Sequence, residues 1–405
     1  AMRGYGIPQA MFAVESHTED VAKIMGIAPI DFRLKNLMPQ GYKDGFSKNE
    51  NYYDTFRQCI EKGKAYMDYD NRLKELTGQT GRIRRGIGMA AFWYNTAVWP
   101  ISLESSSSRL VLNQDGSVIL QLGETEIGQG ADTAFAQMTA EIIGIDTSKV
   151  HVVSCQDTDI TPFGTGAYAS RQTYMAGFTI SKTANLLKKK ILDYAYILTN
   201  MPPDILDIKD SKVIRTTDNR ELISLEELAT TALYSLSESQ HITAESTAQI
   251  KSNAYSFGCC FAEVEVDIDM CKAKVKKIIN VHDCGKLINP ALAKAQVEGG
   301  MSMGIGYALS EIQLVDKKTG KVLNDNLLDY KLSTCMDHPH LETAFVENPE
   351  PTSPFGTKSL GEPPTCPVAP AIRNAVMQAT GVGVNELPMR PEKLYEYFNK
   401  AGLLK

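Results

Sequence analysis

Four stretches of this 405-residue chain hold residue types and spacings that could bind or transform a ligand. Glu362 sits in Lys358-Ser-Leu-Gly-Glu-Pro-Pro-Thr-Cys-Pro367, between Gly361 and the pair Pro363-Pro364. A following proline disfavours the αR region for the glutamate and stiffens the turn, so this carboxylate reads as a pinned general base at a helix mouth. A helix-start acid favoured by the macrodipole has the same look. Residues 123–133, GETEIGQGADT, place Gly128, Gln129 and Gly130 between a strand and a helix start, where bare backbone N–H groups can receive an anion. An ordinary helix-start loop is the plainer alternative. Residues 163–173, FGTGAYASRQT, repeat that arrangement with Ala169 and Ser170; Ser170 would also serve as a simple N-cap. Residues 289–306, NPALAKAQVEGGMSMGIG, carry Gln296 and glycines at 299, 300, 304 and 306. Mid-helix glycines cost about 1 kcal/mol each relative to alanine, which points to close approach by a ligand or, more simply, by another element.

Self-sufficient chemistry is not advertised elsewhere. The eight cysteines form no C-x-x-C, and their spacings match neither a zinc site nor an iron–sulfur run. No H-E-x-x-H occurs, and Gly-x-Gly-x-x-Gly and Walker patterns are missing. His282, Asp283 and Cys284 are consecutive in a strand-like run, so their side chains cannot converge. An enzyme built this way would take its reactive atoms from a cofactor. A net charge of −6 with dispersed charges argues against nucleic acid, and no apolar run is long enough to span a membrane. Scattered cysteines read as reduced thiols, hence a cytoplasmic expectation.

The elements that must position these residues are mixed. A helix is expected from Pro8 to about Gly26, and another over 56–76. Residues 109–122 alternate around Asp115-Gly116 as a hairpin, followed by a helix ending at Gly144 and a strand over 150–156. Long helices are expected from Ser170 to about Asn200 and from Asn289 to Ala308, with a shorter one over 224–236. Strands are expected over 257–268 and 272–283, and further ones in EIQLVD, KVLN and LETAFVEN. Helices follow at 364–379 and 391–401. Hairpins and helices intermix without βαβ alternation, so the expected class is α+β, with mixed sheets and packed helices.

In order, RGYGIPQ, GETEIGQG, GAYASRQT, NP with AQVEGG, and SLGEPP with AIRNA resemble the molybdenum hydroxylases (xanthine dehydrogenase and aldehyde oxidase), in particular the molybdenum-binding subunit of bacterial xanthine dehydrogenases. The likeness runs from Arg3 to Leu404. It implies a molybdenum–molybdopterin cofactor, plain or as the cytosine dinucleotide, with Glu362 as the base that deprotonates a metal-bound hydroxyl. The oxygen then attacks an electron-poor carbon, and hydride passes to a sulfido ligand. It implies that Arg3 and Ala169 stand beside the molybdenum, that Gly128, Gln129, Gly130 and Gln296 contact the pterin, and that Ser170 meets the dithiolene or phosphate. Tyr5, where phenylalanine is common in the family, would pack against a flat purine or other N-heterocycle.

The resemblance further implies that the chain is the C-terminal part of a longer subunit in a hetero-oligomer. The upstream half of that subunit, an iron–sulfur subunit and an FAD subunit would be its partners, with iron–sulfur clusters and FAD held only by the latter. The expected domains are 1–40 as the end of a first cofactor-binding half, 41–85 as a helical connector, 86–345 as a second half, and 346–405 as a C-terminal segment with Glu362 and closing helices. Substrates from hypoxanthine or xanthine to nicotinate, aldehydes or aromatic acyl-CoA stay open, as does a non-catalytic partner-binding fragment. A plain nucleotide-binding protein is the remaining alternative.

Overall fold

The computed structural model describes residues 2–155, 157–237 and 239–404. The chain starts with α1 (Ile7–Ile24) and α2 (Pro29–Lys35), then α3 (Thr55–Met67) and α4 (Tyr69–Leu76). The helix expected over 56–76 is thus two helices. Asp68 between them takes a left-handed φ of 47°, a conformation that aspartate tolerates better than most residues. Both flanks keep helical periodicity, so the pattern does not reveal the break.

The first sheet has the order β1 (Ile83–Thr96), β9 (Ala254–Asp267), β10 (Lys272–Asp283), β11 (Leu341–Phe345). β9 pairs antiparallel with both β1 and β10, and β11 runs parallel to β10. Both faces are covered. Helices α8 (Pro290–Leu309), α9 (Val368–Thr380) and α10 (Pro391–Lys400) pack on one, α3 and α4 on the other. Double coverage explains why β9 is buried nearly throughout and why the run 86–92, GIGMAAF, lacks alternation.

The close fit of α9 depends on glycine. A Cβ at Gly88 would lie 2.2 Å from the Ala375 nitrogen, and one at Gly86 2.1 Å from the Ala375 carbonyl oxygen. Gly88→Ala should therefore push α9 off the sheet and destabilise the protein by about 1–3 kcal/mol, read as a lower urea midpoint with an unchanged slope.

A second sheet has the order β4 (Val150–Val153), β3 (Val118–Leu122), β2 (Glu104–Leu112), β8 (Thr243–Ile250). Its core is closed by α5 (Ala131–Ile143), α6 (Gln172–Thr199) and α7 (Leu225–Tyr234). The β2–β3 hairpin turns through Asp115-Gly116 as expected. β4 ends at Val153, and Gln156 of the expected strand lies outside the described residues. The small antiparallel sheet β5 (Leu206–Lys209), β6 (Lys212–Arg215), β7 (Arg220–Ser224) joins α6 to α7 and was not expected. EIQLVD and KVLN form no strands. They meet in a single bridge, Val315 with Val322, around the Asp316–Gly320 turn. Helices and mixed sheets together make the class α+β, as expected.

Candidate active site

The two sheets meet where Ala97, Tyr174, Met175, Ile250 and Ala254 pack together. Beside that seam opens a cavity of about 1550 Å³. Its wall contains every residue that the family resemblance assigns to cofactor, substrate or base: Arg3, Tyr5, Gly128, Gln129, Gly130, Ala169, Ser170, Gln296 and Glu362. They come from the N-terminal turn, two helix entries, the middle of α8 and the segment before α9. Chain folding thus gathers motifs up to 359 positions apart, from Arg3 to Glu362.

Glu362 is held from several sides. Its Oε2 accepts hydrogen bonds from the Tyr94 hydroxyl at 2.8 Å and the Ser170 hydroxyl at 2.9 Å, and the Gly4 amide approaches Oε1 at 3.4 Å. Its own N–H donates to Ser170 Oγ at 2.8 Å. The expected helix-capping role of Ser170 is not observed: α6 has no side-chain cap, and the hydroxyl serves Glu362 instead. Nor does Pro363 keep Glu362 out of the αR region. The residue has φ −90° and ψ −39°, because its carbonyl accepts from Thr365 N at 3.2 Å and Thr365 Oγ1 at 2.9 Å at the start of a short 3₁₀ turn.

The segment carrying Glu362 is laced to one face of the first sheet. Thr96 Oγ1 accepts from Ser359 N, Ser256 donates to the Ser359 carbonyl, and Asn280 donates to the Pro364 carbonyl, all at 2.9 Å. From the opposite side α8 closes in through its glycines. A Cβ at Gly300 would lie 2.4 Å from Pro364 Cβ, and one at Gly304 equally close to Val368 Cβ. Close packing therefore accounts for those two glycines. His282 packs its ring on Phe92 at 4.9 Å and Asp283 pairs with buried Lys358 at 2.7 Å, so both are structural.

Arg3 fastens the N-terminal turn to this centre. Its Nε donates to the Gly361 carbonyl, and its Nη2 reaches the Gln296 carbonyl at 2.9 Å and Gln296 Oε1 at 3.3 Å. Burial, opposed by the charge of Glu362, pushes the guanidinium pKa down to about 10, so Arg3 stays cationic at neutral pH. Tyr5, Ala97, Ala169 and Ser170 all line the cavity with left-handed φ between 46° and 66°. Such backbone costs of order 1–3 kcal/mol per non-glycine residue, and it concentrates at functional sites. Tyr5 is 81% exposed on the rim.

The glycine-rich turn differs from expectation. The amides of Gly128, Gly130 and Asp132 donate to the Glu126 carboxylate at 2.7, 3.0 and 3.1 Å. An internal anion thus occupies the N–H groups that the sequence offered to a ligand. Gln129 is turned inward, its Nε2 donating to the Thr125 carbonyl at 2.9 Å and approaching Gln172 Oε1 at 3.4 Å. Burial works to raise the Glu126 pKa, but the backbone amides outweigh it and hold the carboxyl below its ordinary range. A depressed folded-state pKa stabilises the protein above the unfolded value, and that stabilisation is lost as pH falls through the folded one. Glu126→Gln should cost about 1 kcal/mol at pH 7, modest because the carboxylate is partly solvated, and almost nothing at an acidic pH where the carboxyl is protonated in the folded protein as well. Denaturation midpoints at the two pH values check this.

Two parts of the site escaped the sequence reading. Tyr94 is one. The other is Arg171, fully buried with Glu104 and Glu124: its Nε meets Glu104 Oε2 at 2.5 Å, and its Nη1 meets both Glu124 oxygens at 2.9 Å. Nη1 also binds the Gly166 carbonyl at 3.0 Å, so the triad pins the turn that presents Ala169 and Ser170.

Residues 62–339 match the molybdopterin cofactor-binding domain, and residues 1–37 match a further molybdopterin cofactor-binding domain. The chain belongs to the molybdopterin cofactor-binding family. Its sequence is 47% identical to the xanthine dehydrogenase molybdenum-binding subunit of Escherichia coli over 405 residues, 100% of this chain and 54% of that protein. It is 28% identical to the aldehyde oxidoreductase molybdenum-binding subunit of Escherichia coli, over 98% of this chain and 52% of that one. The structure of the aldehyde oxidoreductase from Desulfovibrio desulfuricans matches with a TM-score of 0.77 at 27% identity, covering 98% of this chain and 41% of the other. The Cu,Mo-CO dehydrogenase shares the fold, with a TM-score of 0.86 at 24% identity over 99% of this chain and 53% of that one. The chain spans about half the length of the curated relatives it matches.

The donor set suits a molybdopterin. Among the described residues, no group of three or more His, Cys, Asp or Glu side chains converges to hold a metal, so a metal here must bring its own chelate. The cavity wall offers the cations Arg3 and Lys286 with the amides of Gln172 and Gln296, while its other cations, Arg33 and Lys358, are paired with Glu15 and Asp283. Gly299 leaves the α8 surface bare beside Arg3, where a Cβ would stand 3.7 Å from Nη1. Arg3, Gln296 and the Ala169–Ser170 turn are the residues that would hold the group.

Proposed function

We propose that this chain is the cofactor-holding part of a molybdenum hydroxylase of the xanthine dehydrogenase type, acting on hypoxanthine- or xanthine-like purines. When bound, the molybdopterin cofactor supplies the two-electron redox centre and the delivery of a water-derived oxygen. This chain's residues supply the rest. Glu362, fixed by Tyr94, Ser170 and Gly4, accepts a proton as the base. Arg3 ties Gly361 to Gln296, so the base and the pterin-facing side of α8 move as one body. Tyr5 and Trp93 stand at the rim with exposed rings, suited to lie against a planar heterocycle. Walls from Phe257 and Leu360 exclude water.

Electrons would leave through an iron–sulfur subunit and an FAD subunit, in a cytoplasmic hetero-oligomer that also supplies the facing half of the molybdenum subunit. Exposed Met2, Ile7, Val14, Ile101 and Ile127 around the mouth are apolar surface for that half to cover. Among the described residues no helix is long and apolar enough to cross a membrane.

The observation that carries this reading is the convergence of five separate motifs on one cavity around an anchored carboxylate. The test uses the full-length protein purified with its partners. Molybdenum and a pterin should co-purify in equal amounts, and xanthine turned over in ¹⁸O-water should gain one labelled oxygen. Protein that never acquires molybdenum would instead support the partner-binding alternative. Turnover confined to an aldehyde or nicotinate would move the substrate class.

A further inference from the structure

Glu362 has two oxygens, and the structure treats them differently. Oε2 accepts from both Tyr94 and Ser170, at 2.8 and 2.9 Å, whereas among the described residues Oε1 has only the Gly4 amide, at 3.4 Å. The direction of the serine bond is fixed. The Glu362 N–H can only donate, so Ser170 Oγ is the acceptor in that 2.8 Å contact, and its single proton is left for Oε2. The direction of the tyrosine bond is fixed as well. Tyr94 is buried in β1, and burial together with the charge of Glu362 pushes its phenol pKa up, so it remains an O–H donor. Two donors thus fill Oε2, and Oε1 keeps a lone pair for a proton. The other charged or titratable groups facing this carboxylate are Arg3 from the N-terminal turn and Cys366 from the segment before α9. Burial drives the Cys366 thiol pKa up to about 12, leaving it neutral.

We propose that Tyr94 is a positioning residue for Glu362: its phenol and the Ser170 hydroxyl anchor Oε2, and Oε1 is the oxygen that takes the proton. The inference rests on the reading of Glu362 as the base. It assigns Tyr94 a role distinct from that of a pocket-lining ring, since the hydroxyl rather than the aromatic face makes the contact.

Tyr94→Phe in the full-length protein with its partners keeps the ring and removes one donor to the charged form. The acid limb of the kcat/KM profile should move up by about one pH unit, and kcat on the plateau should fall about ten-fold with KM changed less than roughly two-fold. A second readout is independent of turnover. In infrared difference spectra taken against pH, the carboxyl band that disappears in Glu362→Gln should titrate about one unit higher in Tyr94→Phe, with or without cofactor. Ser170→Ala should move both readouts in the same direction, and it decides the question if Tyr94→Phe does not fold. Acid limbs and infrared midpoints that coincide with the parent's in either folded variant overturn the proposal. Full turnover in Glu362→Gln would instead overturn the assignment of the base, a separate failure.

Discussion

Glu362→Gln is expected to lower turnover by about 10²–10⁴-fold while molybdenum and pterin contents stay at the parent level. Glutamine is nearly isosteric, and its Oε1 can still accept from Tyr94 and Ser170, so the segment keeps its anchors. What disappears is the ability to take a proton. Cofactor retention should survive because the groups assigned to hold the pterin are tied together without the Glu362 side chain. Arg3 grips the carbonyl of Gly361 and the backbone and side chain of Gln296. The measurement is the rate of the reductive half-reaction with substrate, set beside metal and pterin analysis of the same sample. Glu362→Asp gives a graded control, since the shorter side chain keeps its charge but cannot span to both hydroxyls. It should retain more activity than glutamine and less than the parent. Loss of molybdenum in step with activity would make Glu362 a structural residue and remove the base from this site.

The long elements and the motifs at their ends were legible because each is a local signal. Asn289 before Pro290 does cap α8, its Oδ1 accepting from Leu292 N at 3.1 Å, and Gly144 does end α5 with a φ of 91°. The hairpin at Asp115-Gly116 is as local. β1 was not legible. Helices cover both of its faces, which erases the alternation that marks a strand, and its glycines answer to α9, nearly 290 positions away. Tyr94 lies on β1, so its bond to Glu362 was out of reach for the same reason. The Gly128–Gly130 turn was legible as an anion site, but no spacing rule shows that Glu126, two residues upstream, would fill it. Ser170 reads as a cap until Glu362 arrives from the far end of the chain and takes the hydroxyl. The residues that line the cavity could therefore be named from the sequence, whereas their partners depend on long-range contacts.

Arg171 is the position where the cost of breaking one such contact should be greatest. Its guanidinium is inaccessible to solvent, as are the carboxylates of Glu104 and Glu124 that bracket it. Glu104 Oε1 accepts in addition from Val98 N at 2.8 Å, and Arg171 Nη2 donates to the Ser105 carbonyl at 3.1 Å. Removing the cation strands two acids in a dry interior. Arg171→Met should therefore destabilise the protein by about 3–5 kcal/mol, visible as a large drop in the urea midpoint. Arg171→Lys should recover little, because an ammonium lacks the planar fork that serves two carboxylates and two carbonyls together. A triple change, Glu104→Gln with Glu124→Gln and Arg171→Met, separates global stability from the site. Neutral partners remove the stranded charges, so most of the midpoint should return. The bond to Gly166 does not return, and Ala169 and Ser170 hold left-handed backbone that needs external restraint. The triple variant should thus refold to near-parent stability yet bind molybdenum and pterin weakly and lose the Ser170–Glu362 contact. Parent-level cofactor content in that variant would show that the triad stabilises the fold without shaping the site.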